Sequence, residues 1–254
     1  TGEAVEMLFE GANPFPATVG LRVDPARIDS GIEFRLDVDI RSVPLYLYKT
    51  ADLFIETMTQ YVRRTLQEGL FGWQVTDCTV TMTQCGYYVG DGAKRGSRKI
   101  IGGVHASTSR TTAADFRKLT PLVLMAALEQ AGTAVCEPMM RVRLDSPTAV
   151  AGVVLAAVAR LGGVVATPSS RGDLSVIETE LPAARAQELQ RQLPGLTGGE
   201  GILETHFAGY RPVTSSRPTR RRTTANPLNR HEYLMQLARR AIGPTGQRGN
   251  TLPR

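Results

Sequence analysis

Residues able to do chemistry gather in two places along this sequence. Between Val89 and Thr111, Lys94, Arg95, Arg98, Lys99 and Arg110 face a single acid, Asp91, in a glycine-rich setting. Cations supply sequence-independent affinity for phosphate and glycine permits close approach, so such a segment suits a loop threading between phosphates. A solvated surface loop is the plain alternative. The second place is an arginine-rich arm, with Arg217, Arg220, Arg221 and Arg222 inside six residues. Catalytic groupings are weaker. Cys85 and His105 sit on either side of the long loop and could meet, but no third residue stands ready to orient them, as nucleophilic catalysis requires. Asp37 and Asp39 share the wet face of a strand, where pairing with Arg35 and Arg41 is the ordinary role of such carboxylates. Cys78, Cys85 and Cys136, with His105, His206 and His231, show neither zinc-ligand spacing nor a disulfide framework. No G-x-x-x-x-G-K-[ST] string occurs, and neither Gly90-Asp91-Gly92 nor Gly102-Gly103 follows a strand and opens a helix. The residues point to binding, not catalysis, and no metal is expected.

The elements that must position these residues read as mixed strand and helix. Gly31 to Ser42 alternates, with Ile32, Phe34, Leu36, Val38 and Ile40 on one face and charges on the other, a strand with one buried side. Ala17 to Val23 is a second apolar run, and the turn residues between them, Pro25 to Gly31, predict a hairpin. Thr50 caps a helix through Phe54, Met58, Tyr61, Val62 and Thr65, with Gly69 as a left-handed stop. Trp73 to Met82 reads as a strand. Gly86 to Thr112 lacks sustained periodicity and is expected as a long loop. Ala114 to Ala131 is a helix ended by Gly132.

Beyond Cys136-Glu137-Pro138 the pattern tightens. Met139 to Leu144 reads as strand, Pro147 to Leu161 as helix, Gly163 to Thr167 and Leu174 to Leu181 as strands, Pro182 to Leu193 as helix, and Gly201 to Tyr210 as strand. That order is the split βαβ sandwich. Arg211 to Ala225 is an arm or linker, Leu228 to Ile242 a last helix, and the remainder a frayed tail.

At 254 residues the chain exceeds one average domain and accommodates two. Its 42% hydrophobic and 21% charged composition excludes collagen-like, coiled-coil and wholly disordered classes. No apolar run approaches a membrane span and no leader pattern opens the chain, so a cytoplasmic protein is expected. The net charge of +6 is uneven: from residue 214 onward nine arginines face Glu232 alone, leaving the first 213 residues at about −2. Basic charge sits on one loop and one arm.

Several strings, in order, resemble the C-terminal part of elongation factor G-like translational GTPases, in particular the tetracycline-resistance ribosomal protection proteins. They are Asn13-Pro14-Phe15 with Val19-Gly20-Leu21, Asp29-Ser30-Gly31, Glu68-Gly69-Leu70-Phe71-Gly72-Trp73 with Val75-Thr76-Asp77-Cys78, Ala114-Asp115-Phe116-Arg117 with Leu119, Ala131-Gly132-Thr133, and Glu137-Pro138. The Glu68 to Cys78 string is the most specific. The resemblance covers about Asn13 to Arg240. It implies an α+β chain in which residues 1–137, completed by a C-terminal helix over 226–243, form an elongated ribosomal protein S5-like domain, the family's fourth. Residues 138–213 form a ferredoxin-like βαββαβ domain, the family's fifth, with 214–225 a basic linker and 244–254 a disordered tail.

The resemblance also implies a partner, the ribosome. Loops at the tip of the fourth domain reach the decoding region and 16S rRNA and dislodge tetracycline, while the fifth domain lies near the large-subunit GTPase centre. Carried over by position, the tip is the loop from Tyr87 and Tyr88 to Ala114, holding Lys94, Arg95, Arg98, Lys99, Thr108, Ser109 and Arg110, with the turn at Asp29, Ser30 and Gly31 beside it. The sequence departs from the family where Tyr88 is followed by Val89-Gly90-Asp91-Gly92, not Ser-Pro-Val, and Thr108, Ser109 and Arg110 stand at the matching distance from Phe116. Arg217, Arg220, Arg221 and Arg222 match the basic arm before the family's last helix, which contacts rRNA or ties that helix down. The phosphate loop and G domain are absent, so no enzymatic activity is expected of this chain, a fragment or truncated product. GTP and Mg²⁺ belong to the parent's G domain. A monomer without membrane association is expected. A stand-alone RNA- or ribosome-binding protein, or another translation factor fragment, is the alternative.

Overall fold

The computed structural model describes residues 1–89, 99–101, 104–106, 110–165, 168–214 and 216–241, without the side chains of 99–101, 104–106 and 241. In chain order the strands and helices are β1 (Gly2–Glu6), β2 (Ala17–Pro25), β3 (Ile32–Leu36), α1 (Leu45–Tyr48), α2 (Ala51–Leu66), β4 (Cys78–Tyr87), β5 (Lys99–Ile101), β6 (Val104–Ala106) and α3 (Ala113–Ala131). They continue as β7 (Cys136–Pro147), α4 (Ala151–Arg160), β8 (Ser169–Arg171), β9 (Leu174–Pro182), α5 (Ala183–Thr197), β10 (Ile202–Pro212) and α6 (Arg230–Ala241). Two units result: Thr1–Thr133 together with the chain from Pro218 on, and Ala134–Arg217 between them. No described helix is long and apolar enough to cross a membrane.

The first unit is a one-sided sheet in the order β1-β2-β4-β3. Alternation along β2 and β4 sends Ala17, Val19, Leu21, Val23, Cys78, Val80 and Met82 into the core, each at most 4% exposed. The opposite face is polar, with Arg22 bonded to Asp24 and Thr83 to Glu3. On α2, Phe54, Met58, Val62 and Leu66 repeat every fourth residue and share the buried face. Thr50 opens that helix by accepting a hydrogen bond from the Leu53 amide at 3.2 Å. Asp115 opens α3, its carboxylate accepting from the Thr112 amide and hydroxyl at 2.7 Å each, and Gly132 ends it at φ 74°. Ala225, Tyr233 and Leu234 of the returning chain lie in the same core.

The expected hairpin between Ala17–Val23 and the alternating strand does not form. β2 pairs antiparallel with β4, Pro25 opposite Cys78, and β3 lies on β4's other side, parallel to it. Parallel neighbours need a crossover, and α2 supplies it. The segment from Ala26 to Gly31 instead wraps the start of β4: Ala26 N–H reaches the Asp77 carbonyl and Gly31 N–H the Asp77 carboxylate. The alternating strand also stops at Leu36, short of Ser42, because Asp39 accepts from the Arg41 amide at 2.8 Å and starts a 3-10 turn. Arg35 pairs with Glu33 in place of the expected Asp37 or Asp39.

Three further boundaries differ. Helix α2 ends at Leu66, and Gly69 does not stop it; the left-handed glycine is Gly72, at φ 79°. The strand expected from Trp73 begins at Cys78, because Val75 N–H bonds back to the Leu66 carbonyl. Within the expected loop, β5 and β6 form an antiparallel pair, Lys99 opposite Ala106.

The second unit runs strand, helix, strand, strand, helix, strand, in an antiparallel sheet ordered β10-β7-β9-β8. Its core joins Val142, Leu144, Ile177 and Leu181 to Val154, Val158, Leu189 and Leu193. The helix expected from Pro147 begins at Ala151 after a 3-10 turn, Thr148–Val150. Gly163 to Val165 form no strand; the short second strand is β8.

Candidate nucleic-acid interface

Where β4 ends at Tyr87, four separate segments converge. The loop from Met7 to Pro16 is held by Asn13, 2% exposed, whose amide nitrogen donates to the carbonyls of Met7 (3.0 Å) and Ala17 (2.9 Å) while its oxygen accepts from Phe15. This clamp leaves Phe9 at φ 61°, an unusual backbone state for a bulky residue, with its ring 41% exposed. Phe9 meets Tyr88 edge-on, centroids 5.3 Å apart. Beside them Tyr46 of α1 lies 5.4 Å from Tyr87 and carries the Arg110 guanidinium 4.1 Å above its ring. Thr111, 1% exposed, ties the segments together: its amide donates to the Tyr88 carbonyl, its hydroxyl donates to the Pro16 carbonyl and accepts from Tyr88 N–H, and its carbonyl accepts from the Tyr46 hydroxyl at 2.8 Å. The result is a patch of half-exposed aromatic faces with one exposed arginine, the composition of a stacking platform for single-stranded nucleic acid.

Sequence expectation reaches part of this patch. Tyr87, Tyr88 and Arg110 are brought together there. Lys94, Arg95, Arg98, Thr108 and Ser109 lie outside the described residues, and of Lys99 only the backbone, in β5, is described. Asp29, Ser30 and Gly31 are not neighbours of the patch. They sit at the Cys78 end of β4, whose ten residues at about 3.3 Å each separate the two ends by about 30 Å. The reason is strand direction: β4 runs antiparallel to β2, so Tyr87 lies opposite Ala17, where β2 begins, while residues 29–31 follow Pro25, where β2 ends. Phe9 and Tyr46 are not among the expected residues, because nothing in a linear reading joins residues 9, 46, 87 and 110; the aromatic spacing Tyr46, Tyr48 in α1 is the available signal.

The basic arm divides. Arg222, half-buried, donates to the Gly69 carbonyl and approaches the Met125 sulfur, and burial lowers its pKa against the pull of Glu68. Arg220 has its backbone N–H on the Phe71 carbonyl and its guanidinium 5.7 Å over the Trp73 ring, while the Trp73 indole donates to the Pro218 carbonyl. Arg222 is therefore a docking residue and no free phosphate contact; Arg217 and Arg221 are exposed. The Glu68 carboxylate receives the amides and hydroxyls of Thr223 and Thr224 at 2.6 to 3.3 Å. Burial raises its pKa, but these four bonds outweigh it and draw the group down to about 2. A depressed carboxylate stabilises above its ordinary value of 4.5 and loses that contribution as pH falls through about 2. The arm is expected to loosen between those values, read from the Trp73 fluorescence, and Glu68→Gln to remove that acid step while weakening the arm at neutral pH.

Nucleophilic chemistry finds no support here. Burial pushes the Cys85 thiol up to about 12, so it stays protonated at neutral pH. The His105 side chain lies outside the described residues. Among the described residues no three His, Cys, Asp or Glu groups are placed to hold a metal.

Comparison with known proteins agrees with the resemblance. Residues 134–221 match the family profile described as Elongation factor G C-terminus. The oxytetracycline resistance protein of Streptomyces rimosus is 38% identical over 86% of this chain and 29% of its own length. The tetracycline resistance protein TetP of Clostridium perfringens is 30% identical over 92% of the chain and 32% of its own length, and TetM of Streptomyces lividans 35% identical over 83% and 29%. The chain thus spans about 30% of the length of these relatives. A crystal structure from Thermus thermophilus superposes on 94% of this chain and 30% of its own, with TM-score 0.60 at 19% identity, a likeness of fold. Residues 134–221 thus carry an elongation factor G C-terminus domain, and along most of its length the chain is similar to the tetracycline resistance proteins.

Proposed function

We propose that this chain is the ribosome-engaging C-terminal portion of an elongation factor G-like ribosomal protection protein, whose strand-end patch reaches 16S rRNA in the decoding region and helps dislodge tetracycline. The observation that carries the reading is the patch: Phe9, Tyr46, Tyr87, Tyr88 and Arg110 converge from four segments and stay open to solvent. Unpaired bases stack on such faces, and the arginine adds charge for the backbone. In this reading the first unit is the family's fourth domain, ribosomal protein S5-like, and the second its ferredoxin-like fifth, working near the large-subunit GTPase centre. The parent is a cytoplasmic GTPase that holds GTP and Mg²⁺ in a G domain, and hydrolysis there releases it from the ribosome.

Co-sedimentation of the 254-residue chain with ribosomes tests the patch. Base stacking on an aromatic side chain contributes about 1–3 kcal/mol. Tyr46→Ala and Phe9→Ala are each expected to weaken binding roughly tenfold, since about 1.4 kcal/mol is a factor of ten. Unchanged binding by the double variant would remove the patch from the interface. A second reading, a translation factor without a drug-protection role, is favoured by the absence of Ser-Pro-Val after Tyr88. Tetracycline tolerance conferred by the parent protein separates the two.

A further inference from the structure

The first unit holds a second concentration of positive charge that the strand-end patch does not use. A cleft of about 510 Å³ opens among α2, α3 and α6, with Arg64, Arg117, Lys118 and Arg240 around it and no carboxylate among its lining residues. None of these four side chains takes part in an ion pair or side-chain hydrogen bond among the described residues, and Arg64, Arg117 and Arg240 are exposed. Four cations gathered without a counter-charge repel one another, and an arriving anion relieves that repulsion. Glu68 acts on Arg222, and its oxygens are taken by Thr223 and Thr224; it forms no ion pair with these four cations.

The floor of the cleft is not charged. Tyr61, Pro121 and Leu237 line it with Tyr233, which is 5% exposed and fixed by a 2.8 Å hydrogen bond from its hydroxyl to the Lys118 carbonyl. Burial pushes the Tyr233 phenol up to about 12, against the pull of Arg240 and Arg117. Arg117 and Arg240 line the same cleft as this ring. An apolar floor under a cationic rim matches a ligand with an anionic head and a flat, weakly polar body, and the volume suits one nucleotide.

We propose that this cleft binds a phosphorylated nucleoside, with the phosphate at Arg64, Arg117 and Arg240 and the sugar and base toward Tyr61. Two sources carry that chemistry: one nucleotide of an RNA strand, or a free mononucleotide. The site stands apart from the strand-end patch and does not rest on its role.

The test uses the 254-residue chain with a labelled twelve-nucleotide single-stranded RNA, read by fluorescence anisotropy across a salt series, and with AMP, read by calorimetry. The triple variant Arg64→Gln, Arg117→Gln, Arg240→Gln removes three unpaired cations, and Trp73 fluorescence checks that the unit remains folded. It is expected to weaken binding at least tenfold and to lower the salt slope of RNA binding by about 0.7, the contribution of one single-strand phosphate contact. The corresponding lysine triple keeps the charges and is expected to retain most of the affinity. Loss with RNA alone assigns the site to a strand; loss with AMP as well assigns it to a free nucleotide. Repeating the triple in a Tyr46→Ala background keeps this outcome distinct from that of the patch. Wild-type chain that binds neither probe, or a glutamine triple that binds both with unchanged affinity and slope, overturns the proposal.

Discussion

Replacing Gly72 with alanine is expected to destabilise the first unit by about 3 kcal/mol and to release the arm that returns from residue 218. Two costs combine. Gly72 has φ 79°, a region that penalises an L-residue by about 1–2 kcal/mol. A methyl group there would also overlap the Arg220 carbonyl, whose residue is held by its amide on Phe71. Moving Arg220 away undoes the neighbouring contacts of the arm: the indole bond from Trp73 to Pro218, the Arg222 contact with Gly69, and the Glu68 cluster. Urea denaturation measures the cost, and the protein's sole tryptophan reports the release directly as it loses its partner. Gly31→Ala is the control, because Gly31 has a similar φ of 73° but open space around its position. If both variants lose equal stability, only backbone strain operates and the arm is not seated by Gly72.

Phe116→Ala is expected to cost about 4 kcal/mol, within the range for truncating a fully buried phenylalanine. Phe116 is 0% exposed and meets Phe54 at 5.7 Å and Tyr48 at 6.2 Å, both edge-on. Removing the ring empties a space walled by three elements that cannot close together. The loss falls on the first unit alone, because the core of the second shares no residue with it. Leu189→Ala should do the reverse. Unfolding followed by Trp73 fluorescence and by total helix signal resolves the two; equal effects of Leu189→Ala on both signals would mean that the units unfold together. Phe116 stands five residues after Thr111, so ribosome binding through the patch should fall with it.

Local features are the legible ones. The Thr50 cap, the four-residue repeat of α2, the Gly132 stop and the strand, helix, strand, strand, helix, strand order all follow from short-range spacing, and the structure contains each. Pairing is not legible. The period-2 pattern from Ile32 states which face is buried but not which strand lies alongside, and β3 joins β4 across a helix of sixteen residues. Nor does spacing give the direction of β4, which runs antiparallel to β2 and so ends at the far side of the sheet from Asp29, Ser30 and Gly31. The Glu68 to Cys78 string is recognisable from its residues, yet their purpose shows only in three dimensions: Glu68, Gly69, Phe71, Gly72 and Trp73 all receive the arm. The patch is half visible for the same reason, since Phe9 and Tyr46 gain meaning only beside Tyr87, Tyr88 and Arg110.

The second unit interrupts the first, and its two ends leave side by side: Cys136 pairs with Pro212 across β7 and β10, and Val213 N–H meets the Val135 carbonyl. On a translating ribosome this arrangement sets a delay. When Thr133 has been made, the first unit lacks Ala225, Tyr233 and Leu234 from its core, and at about 5–20 residues per second the chain needs several seconds more to supply them. During that interval the second unit, whose residues are contiguous, is complete first, while the sheet before it waits with an uncovered flank. A nascent chain that has emerged from the ribosome only as far as residue 217 would present a finished insert within an unfinished host, and would be the form most in need of a chaperone.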